Sequence, residues 1–429
     1  MGPTTTDPTL DRLSTLEKSL PDAAGGATIE EFLATAPRLS EFGTPLLVLD
    51  SAVLDANIER MATWCTAHGL DIAPHGKTTM APALWERQLR AGAWGITVAT
   101  PSQVRVALAA GVRRIQLANA LVDPVALAAV SRALDADPDL QVISWVDSPD
   151  TVAAMSAVLA GLAPQGRSPQ RRLTVLVEFG ADGGRTGARG LAAARAVADA
   201  VRAAPHLVLG GVAAYEGAVA HDATPAELST VRGFLHEFAQ LHRTLQAAGH
   251  YPGEVIVTAG GSAFFDDVAT ELGPLAGPGT RVILRSGAYV IHDDGYYRGV
   301  SPFARDEQRA PLHSAMHLWA RVVSQPEPGL ALLDAGRRDV PVDQGFPVPQ
   351  LVADDLGAPA TPLTGEITAV ADQHAFLRTA AGAEPAVGQV VRLGLSHPCT
   401  AFDKWRVIPV VAGDGADDPV VTELVRTYF

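Results

Sequence analysis

Between residues 70 and 290 the chain repeats one pattern: a short apolar, β-branched run, a turn, then an alanine- and leucine-rich stretch with helical spacing. The runs occupy 71–77, 95–100, 114–121, 141–147, 173–180, 208–217, 254–261 and 281–290. Such alternation restricts a chain to α/β architecture, because helices following each strand cover a parallel sheet on its outer face. Eight alternations in about 220 residues predict a (β/α)8 barrel, with a doubly wound open sheet as the alternative. Three helix starts are marked by a capping side chain followed by proline: Thr100-Pro101, Asp123-Pro124 and Ser148-Pro149. Thr100 with Gln103 reads as a capping box.

After Val290 the helical runs stop, and short β-like pieces at 314–325, 330–334, 365–370, 386–393 and 405–411 are punctuated by proline and glycine. This texture predicts a C-terminal antiparallel β domain. The expected organisation is an N-terminal segment over 1–50 that joins the β domain through 45–50, a barrel over 51–298 and a β domain over 299–429. The first 25 or so residues read as loosely attached.

No stretch reaches the roughly 20 apolar residues of a bilayer crossing, and the N-terminus has no signal-peptide core. Cys65 and Cys399 are too few for a disulfide framework, so a cytoplasmic location is expected. A net charge of −14 without a basic run argues against nucleic-acid or membrane partners and leaves small-molecule chemistry.

Of 33 basic residues only Lys18, Lys77 and Lys404 are lysine. Arginine serves wherever any positive charge will do, so a retained lysine is a candidate amine nucleophile. Lys18 reads as a survivor of composition bias. Lys77 closes the first run, in Pro74-His75-Gly76-Lys77-Thr78, and barrels place reactive groups at the carboxyl ends of strands.

The seventh and eighth runs end in Gly260-Gly261-Ser262 and Ser286-Gly287-Ala288-Tyr289, read together as a phosphate cup. Arg185 lies on the glycine-rich loop after the fifth run, where it either reaches a phenolate or carboxylate or is a surface arginine. Tyr215 either stacks on an aromatic ligand or fills the barrel core. In Ser396-His397-Pro398-Cys399-Thr400 an extended backbone would turn imidazole and thiol to one side, giving half of a zinc shell or a buried histidine beside a small thiol.

Taken together, these segments resemble the alanine-racemase-like, fold-type III pyridoxal-phosphate enzymes, in the branch of D-serine dehydratases and D-threonine aldolases. The resemblance runs from about residue 45 to the end, and Pro-His-Gly-Lys-Thr and the segment from Ser396 to Trp405 carry it most specifically. It implies that Lys77 holds pyridoxal 5'-phosphate as an imine and that Arg185 contacts the phenolic oxygen. Tyr215 then lies against the ring, and Gly260, Gly261, Ser262, Gly287, Ala288 and Tyr289 bind the cofactor. It further implies Zn2+ on His397 and Cys399, where the aldolases usually carry aspartate in place of the cysteine.

The chain departs from that pattern at Ser262, where threonine is common, at Ala288, where asparagine is common, and in Thr78-Thr79-Met80 after the lysine. The implied reaction is dehydration of a small D-3-hydroxy amino acid, D-serine to pyruvate and ammonia, by a homodimer. The alternatives are a D-threonine aldolase-type lyase, an amino-acid racemase and, outside catalysis, a pyridoxal-phosphate carrier.

Overall fold

The apolar runs become two separate sheets in the computed structural model, which describes residues 12–162, 169–306, 310–412 and 417–429. The chain divides into two units, Met61–Lys77 with Gln88–Gly287, and Met1–Arg60 with Thr78–Arg87 and Ala288–Phe429. The first strand, β1 (Leu46–Asp50), belongs to the second of these.

The parallel sheet is built from β2 (Asp71–Ile72), β3 (Ile96–Val98), β4 (Arg114–Leu117), β5 (Gln141–Val146), β6 (Leu173–Gly180), β8 (Leu207–Ala214), β9 (Val255–Ala259) and β10 (Thr280–Leu284), with the short β7 (Ala188–Arg189) beside β6. Its order is β2-β10-β9-β8-β6-β5-β4-β3. The two end strands meet: Trp94 N donates to Ile72 O at 2.7 Å, Thr97 N donates to Pro74 O at 2.9 Å, and His75 and Thr97 form a parallel bridge. The sheet therefore closes into the (β/α)8 barrel, and the open-sheet alternative is set aside. Ala73, Trp94, Ile143, Trp145, Leu176 and Ile283 pack into one buried cluster contributed by several barrel strands.

Local chemistry sets the element boundaries. The first barrel strand ends at Ile72, well short of Lys77, because Pro74 cannot donate to the ladder and the chain turns into a 3-10 helix at Gly76–Thr78. Asp123 and Ser148 cap their helices, accepting from Ala126 N at 2.7 Å and from Thr151 N at 3.1 Å. Thr100 accepts from Gln103 N at 3.3 Å, but the Gln103 carbonyl takes the amide of Ala99 and not that of Thr100. The expected box is displaced by one residue. No helix among the described residues is long and apolar enough to cross a membrane.

The second sheet follows β1 with β11 (Met316–Glu327), β12 (Leu330–Leu333), β13 (Val348–Ala353), β14 (Thr361–Pro362), β15 (Glu366–Val370), β16 (Ala375–Arg378), β17 (Val390–Gly394), β18 (Val407–Val411) and β19 (Val421–Arg426). Its path is β14-β13-β17-β11-β1-β18-β19, and β12, β16 and β15 continue from β11. All pairs are antiparallel except β1 with β18. Strands β13, β14, β16 and β19 escape the sequence pattern because each is short or lies among prolines and charged residues.

The N-terminal segment corrects the reading of loose attachment from Arg12 onward; residues 1–11 lie outside the described residues. Leu13 and Ala24 are buried in the core of the β-rich unit, and Arg12 bridges to Thr28. Lys18 is no idle survivor of composition bias. Its Nζ pairs with the buried Asp339 carboxylate at 2.8 Å, donates to Arg338 O at 2.6 Å and lies 4.8 Å from the Trp405 ring centroid. Lys18→Met would leave Asp339 buried without its cation. Its expected cost is about 1–3 kcal/mol, read as a lower urea midpoint; an unchanged midpoint would show that Asp339 is satisfied without the amine.

His242, buried in the helix Pro225–Ala247 and stacked on Tyr251 at 5.7 Å, is pushed down to about 4, first by burial and then by the Arg243 charge. A folded pKa below the ordinary 6.5 means that the unfolded chain binds the proton first. Stability contributed by neutral His242 is present above pH 6.5 and is lost as pH falls toward 4, by at most about 1.4 kcal/mol per pH unit. His242→Phe should flatten the unfolding midpoint in that window, and an identical slope in both proteins would refute the assignment.

Candidate active site

Closure of a parallel barrel brings every strand's carboxyl end to one rim. Lys77 stands two residues past His75, which lies beyond β2 and forms a parallel bridge with Thr97 of β3. The Ser286-Gly287 turn after β10 passes directly over that backbone: a Cβ on Gly287 would lie 2.5 Å from His75 O and 2.8 Å from its N, so only glycine permits the approach. His75 Nδ1 is buried without a hydrogen-bond partner among the described residues. Burial, then the charges of Lys77 and Arg285, hold its imidazole well below the usual range, hence neutral.

On the adjoining loops, the Arg185 guanidinium lies 5.1 Å from the Tyr215 ring centroid. Arg189 fastens the loop that carries Arg185, donating to the carbonyls of Gly184, Arg185, Thr186 and Gly187 at 2.7–3.2 Å. Thr186 Oγ1 donates to Glu178 Oε1 at 2.7 Å, and burial raises the Glu178 carboxyl against that hydrogen bond.

The expected phosphate cup has an occupant of its own. Glu216, fully buried, accepts from Gly260 N at 2.9 Å and from Gly261 N at 2.6 Å. Ser286 Oγ donates to Gly261 O at 2.8 Å. These two amides are therefore committed to a carboxylate, and the glycines contribute close approach instead: Gly260 sits at φ +96°, and a Cβ on Gly261 would lie 2.9 Å from the Tyr215 ring. Ser262 follows directly after this loop. Ala288 and Tyr289 form a buried 3-10 turn with Val290 in the β-rich unit.

The sequence reading missed Glu216 and Arg285. Arg285 is 5 % exposed, donates to Thr258 Oγ1 at 2.8 Å and to Ala214 O at 2.5 Å, and lies 4.8 Å from the Trp145 ring centroid. Burial pulls its pKa down to about 10, with Glu216 and Glu178 opposing. A charged residue at the end of an otherwise apolar strand was the available signal for both.

In the β-rich unit, His397 stands at the N-terminal boundary of the short helix Pro398–Phe402, without a side-chain bond to its amides. This corrects the expected extended segment, since Pro398 at the first helical position starts a turn there. His397 Nδ1 lies 2.6 Å from Asp343 Oδ2, and Cys399 Sγ lies 3.3 Å from Thr78 Oγ1, the residue that follows Lys77. Burial opposes a charge on His397, but contact with Cys399 and with Asp343 outweighs it and raises the imidazole to about 9. No three or more histidine, cysteine or acidic side chains among the described residues are arranged to hold an ion.

An eight-stranded parallel barrel with a lysine just past its first strand, together with a separate, mostly antiparallel sheet, defines the alanine-racemase-like fold. An alanine racemase-like protein from Idiomarina loihiensis superposes with a TM-score of 0.66 over 90 % of this chain and 96 % of that one, at 18 % identity. The family described as a putative serine dehydratase domain matches residues 315–411. D-threonine aldolase from Arthrobacter sp. is 29 % identical over 384 residues, 89 % of this chain and 92 % of that protein. D-threo-3-hydroxyaspartate dehydratase from Delftia sp. is 28 % identical over 400 residues, 87 % and 95 %.

Solved structures of a D-threo-3-hydroxyaspartate dehydratase include a histidine-to-alanine mutant, TM-score 0.72 at 24 % identity over 93 % and 98 % of the two chains. They also include a cysteine-to-alanine mutant in a metal-free form, TM-score 0.69 at 25 % identity over 91 % and 99 %. The two mutated positions are two residues apart. The chain is thus similar over most of its length to a D-threonine aldolase and a D-threo-3-hydroxyaspartate dehydratase, and it has the alanine-racemase-like fold.

Glu216→Gln would turn an N–H toward the Gly260 and Gly261 amides and leave Glu178 as the remaining buried carboxylate acting on Arg285. We expect a loss of about 2–3 kcal/mol in stability and amide exchange faster by about tenfold or more at Gly260 and Gly261. Unchanged exchange at both amides would show that the loop holds its shape without the carboxylate.

Proposed function

We propose that this chain is a pyridoxal-phosphate- and zinc-dependent lyase that dehydrates a D-3-hydroxy amino acid, with D-serine, converted to pyruvate and ammonia, as the foremost substrate. The observation that carries the reading is the His397-x-Cys399 pair with its imidazole held by Asp343. Histidine and cysteine at that same spacing are the residues replaced in the two dehydratase mutants, and the form lacking the cysteine is metal-free.

The residues present fit both groups. Lys77 supplies an amine just past the first barrel strand, and Arg185 and Arg285 supply positive charge on the same unit. Imidazole and thiolate are the nitrogen and sulfur donors that zinc prefers. Pyridoxal phosphate attached at Lys77 would supply the electron sink for charge left at the substrate Cα. An ion on His397 and Cys399 would act as a Lewis acid on the departing hydroxyl.

The chain's own residues do the rest. Lys77 would hold the cofactor, and its Nζ is the base that accepts the Cα proton. Neutral His75 adds no positive charge beside that amine. The Arg189 clamp keeps Arg185 on a fixed loop against Tyr215, so placing its guanidinium costs little at the moment of reaction. After loss of water, the released enamine tautomerises to an imine and hydrolyses to the 2-oxo acid and ammonia.

The test supplies D-serine, D-threonine and D-threo-3-hydroxyaspartate in parallel, with and without a chelator, and follows 2-oxo acid by a coupled reductase and aldehyde separately. Pyruvate from D-serine, abolished by chelation and lowered roughly 10^3-fold or more in Lys77→Ala, is the expected result. Glycine with acetaldehyde from D-threonine would replace dehydration by retro-aldol cleavage, the reaction named for the Arthrobacter relative. A preference for the hydroxyaspartate would keep the reaction and change the substrate.

A further inference from the structure

His397 has one ring nitrogen already committed. Its Nδ1 lies 2.6 Å from Asp343 Oδ2, and the other oxygen of that carboxylate accepts Thr400 Oγ1 at 2.7 Å. Thr400 Oγ1 in turn lies 3.2 Å from the same Nδ1. The carboxylate thus grips both the cap residue and the third residue of the helix Pro398–Phe402, and reaches them from a loop 54 positions earlier in the chain.

A carboxylate can only accept, so the contact places a hydrogen on Nδ1. When an ion displaces the proton on the other nitrogen, the lone pair it takes is on Nε2, with its direction set by the clamp. Without Asp343 the half-buried ring would be free to turn and to exchange tautomers, and an ion would have to order it on binding. The carboxylate also brings a negative charge close to a site whose donor set is one neutral ring and one thiolate.

We propose that Asp343 is the positioning residue of the metal pair, fixing His397 in the Nδ1–H form so that Nε2 is presented as the ligand. The proposal rests on the metal reading given above and deepens it: the carboxylate acts through the ring and is not itself a ligand. A purely structural role, tying the loop at Asp343 to the helix, would change folding stability and leave ion affinity where it was.

The experiment measures Zn2+ affinity of the cofactor-loaded full chain by competition with a chromophoric chelator, for the wild type, Asp343→Ala, Asp343→Asn and His397→Ala. Melting of the metal-stripped proteins is followed alongside. We expect Asp343→Ala to weaken Zn2+ about 10- to 100-fold. Asp343→Asn, which keeps the acceptor oxygen and loses the charge, should recover part of that loss. The stripped proteins should melt alike.

Wild-type affinity in Asp343→Ala, with binding lost in His397→Ala, would overturn the positioning role and leave the metal reading intact. An affinity loss matched by a lower melting point in the stripped protein, with no recovery in Asp343→Asn, would also overturn it in favour of a structural staple. Failure of the wild type to retain Zn2+ would overturn this proposal together with the metal half of the proposed reaction.

Discussion

Closure of the parallel sheet is the constraint on which the rest of the barrel depends. Two backbone hydrogen bonds, Trp94 N to Ile72 O and Thr97 N to Pro74 O, join the end strands and remove both edges. Thr97 Oγ1 adds a third contact, donating to Ala73 O at 2.7 Å. Because every strand runs the same way, closure also decides where the chemistry goes: the turns that carry Lys77, Arg185, Tyr215, Gly260 and Gly287 all follow carboxyl ends.

Buried charged groups hold the rim so formed. Glu216 and Arg285 are both buried, on the turns that flank the one after β9, and each uses its polar atoms on backbone or on a hydroxyl of the barrel. Burying either alone would be costly, and together each lowers the other's electrostatic penalty. The consequence is a rim in which Glu216 fixes the Gly260 and Gly261 amides and Ser286 fixes the Gly261 carbonyl, so the chain itself sets the shape of the loop. The same device recurs with Arg189, whose four carbonyl acceptors shape the loop beneath Arg185.

The β-rich unit uses long-range carboxylates in the same way. Asp339 and Asp343 lie four positions apart. Asp339, with Lys18 and the Trp405 indole donating to its carbonyl at 3.0 Å, ties the N-terminal segment to the sheet. Asp343 holds His397. One short segment therefore serves both the anchoring of the chain's beginning and the orientation of its candidate metal ligand.

Alternation of apolar runs with capped alanine-rich helices made the barrel, the following β-rich texture and the position of Lys77 legible, because these depend on side-chain periodicity and on proline and glycine, which act locally. The His397-x-Cys399 pair was legible as residue types at a fixed spacing, though the turn that brings them together was not. What only the tertiary structure decided is which polar groups meet across distance: Glu216 with the Gly260 and Gly261 amides, Arg285 with Trp145 and Thr258, Lys18 with Asp339, Asp343 with His397. A charged residue in an apolar run signals that a partner must exist, since an unpaired buried charge is expensive. It does not say which, because the partner lies tens to hundreds of positions away and only the closing of the barrel and the pairing of the sheets bring the two together.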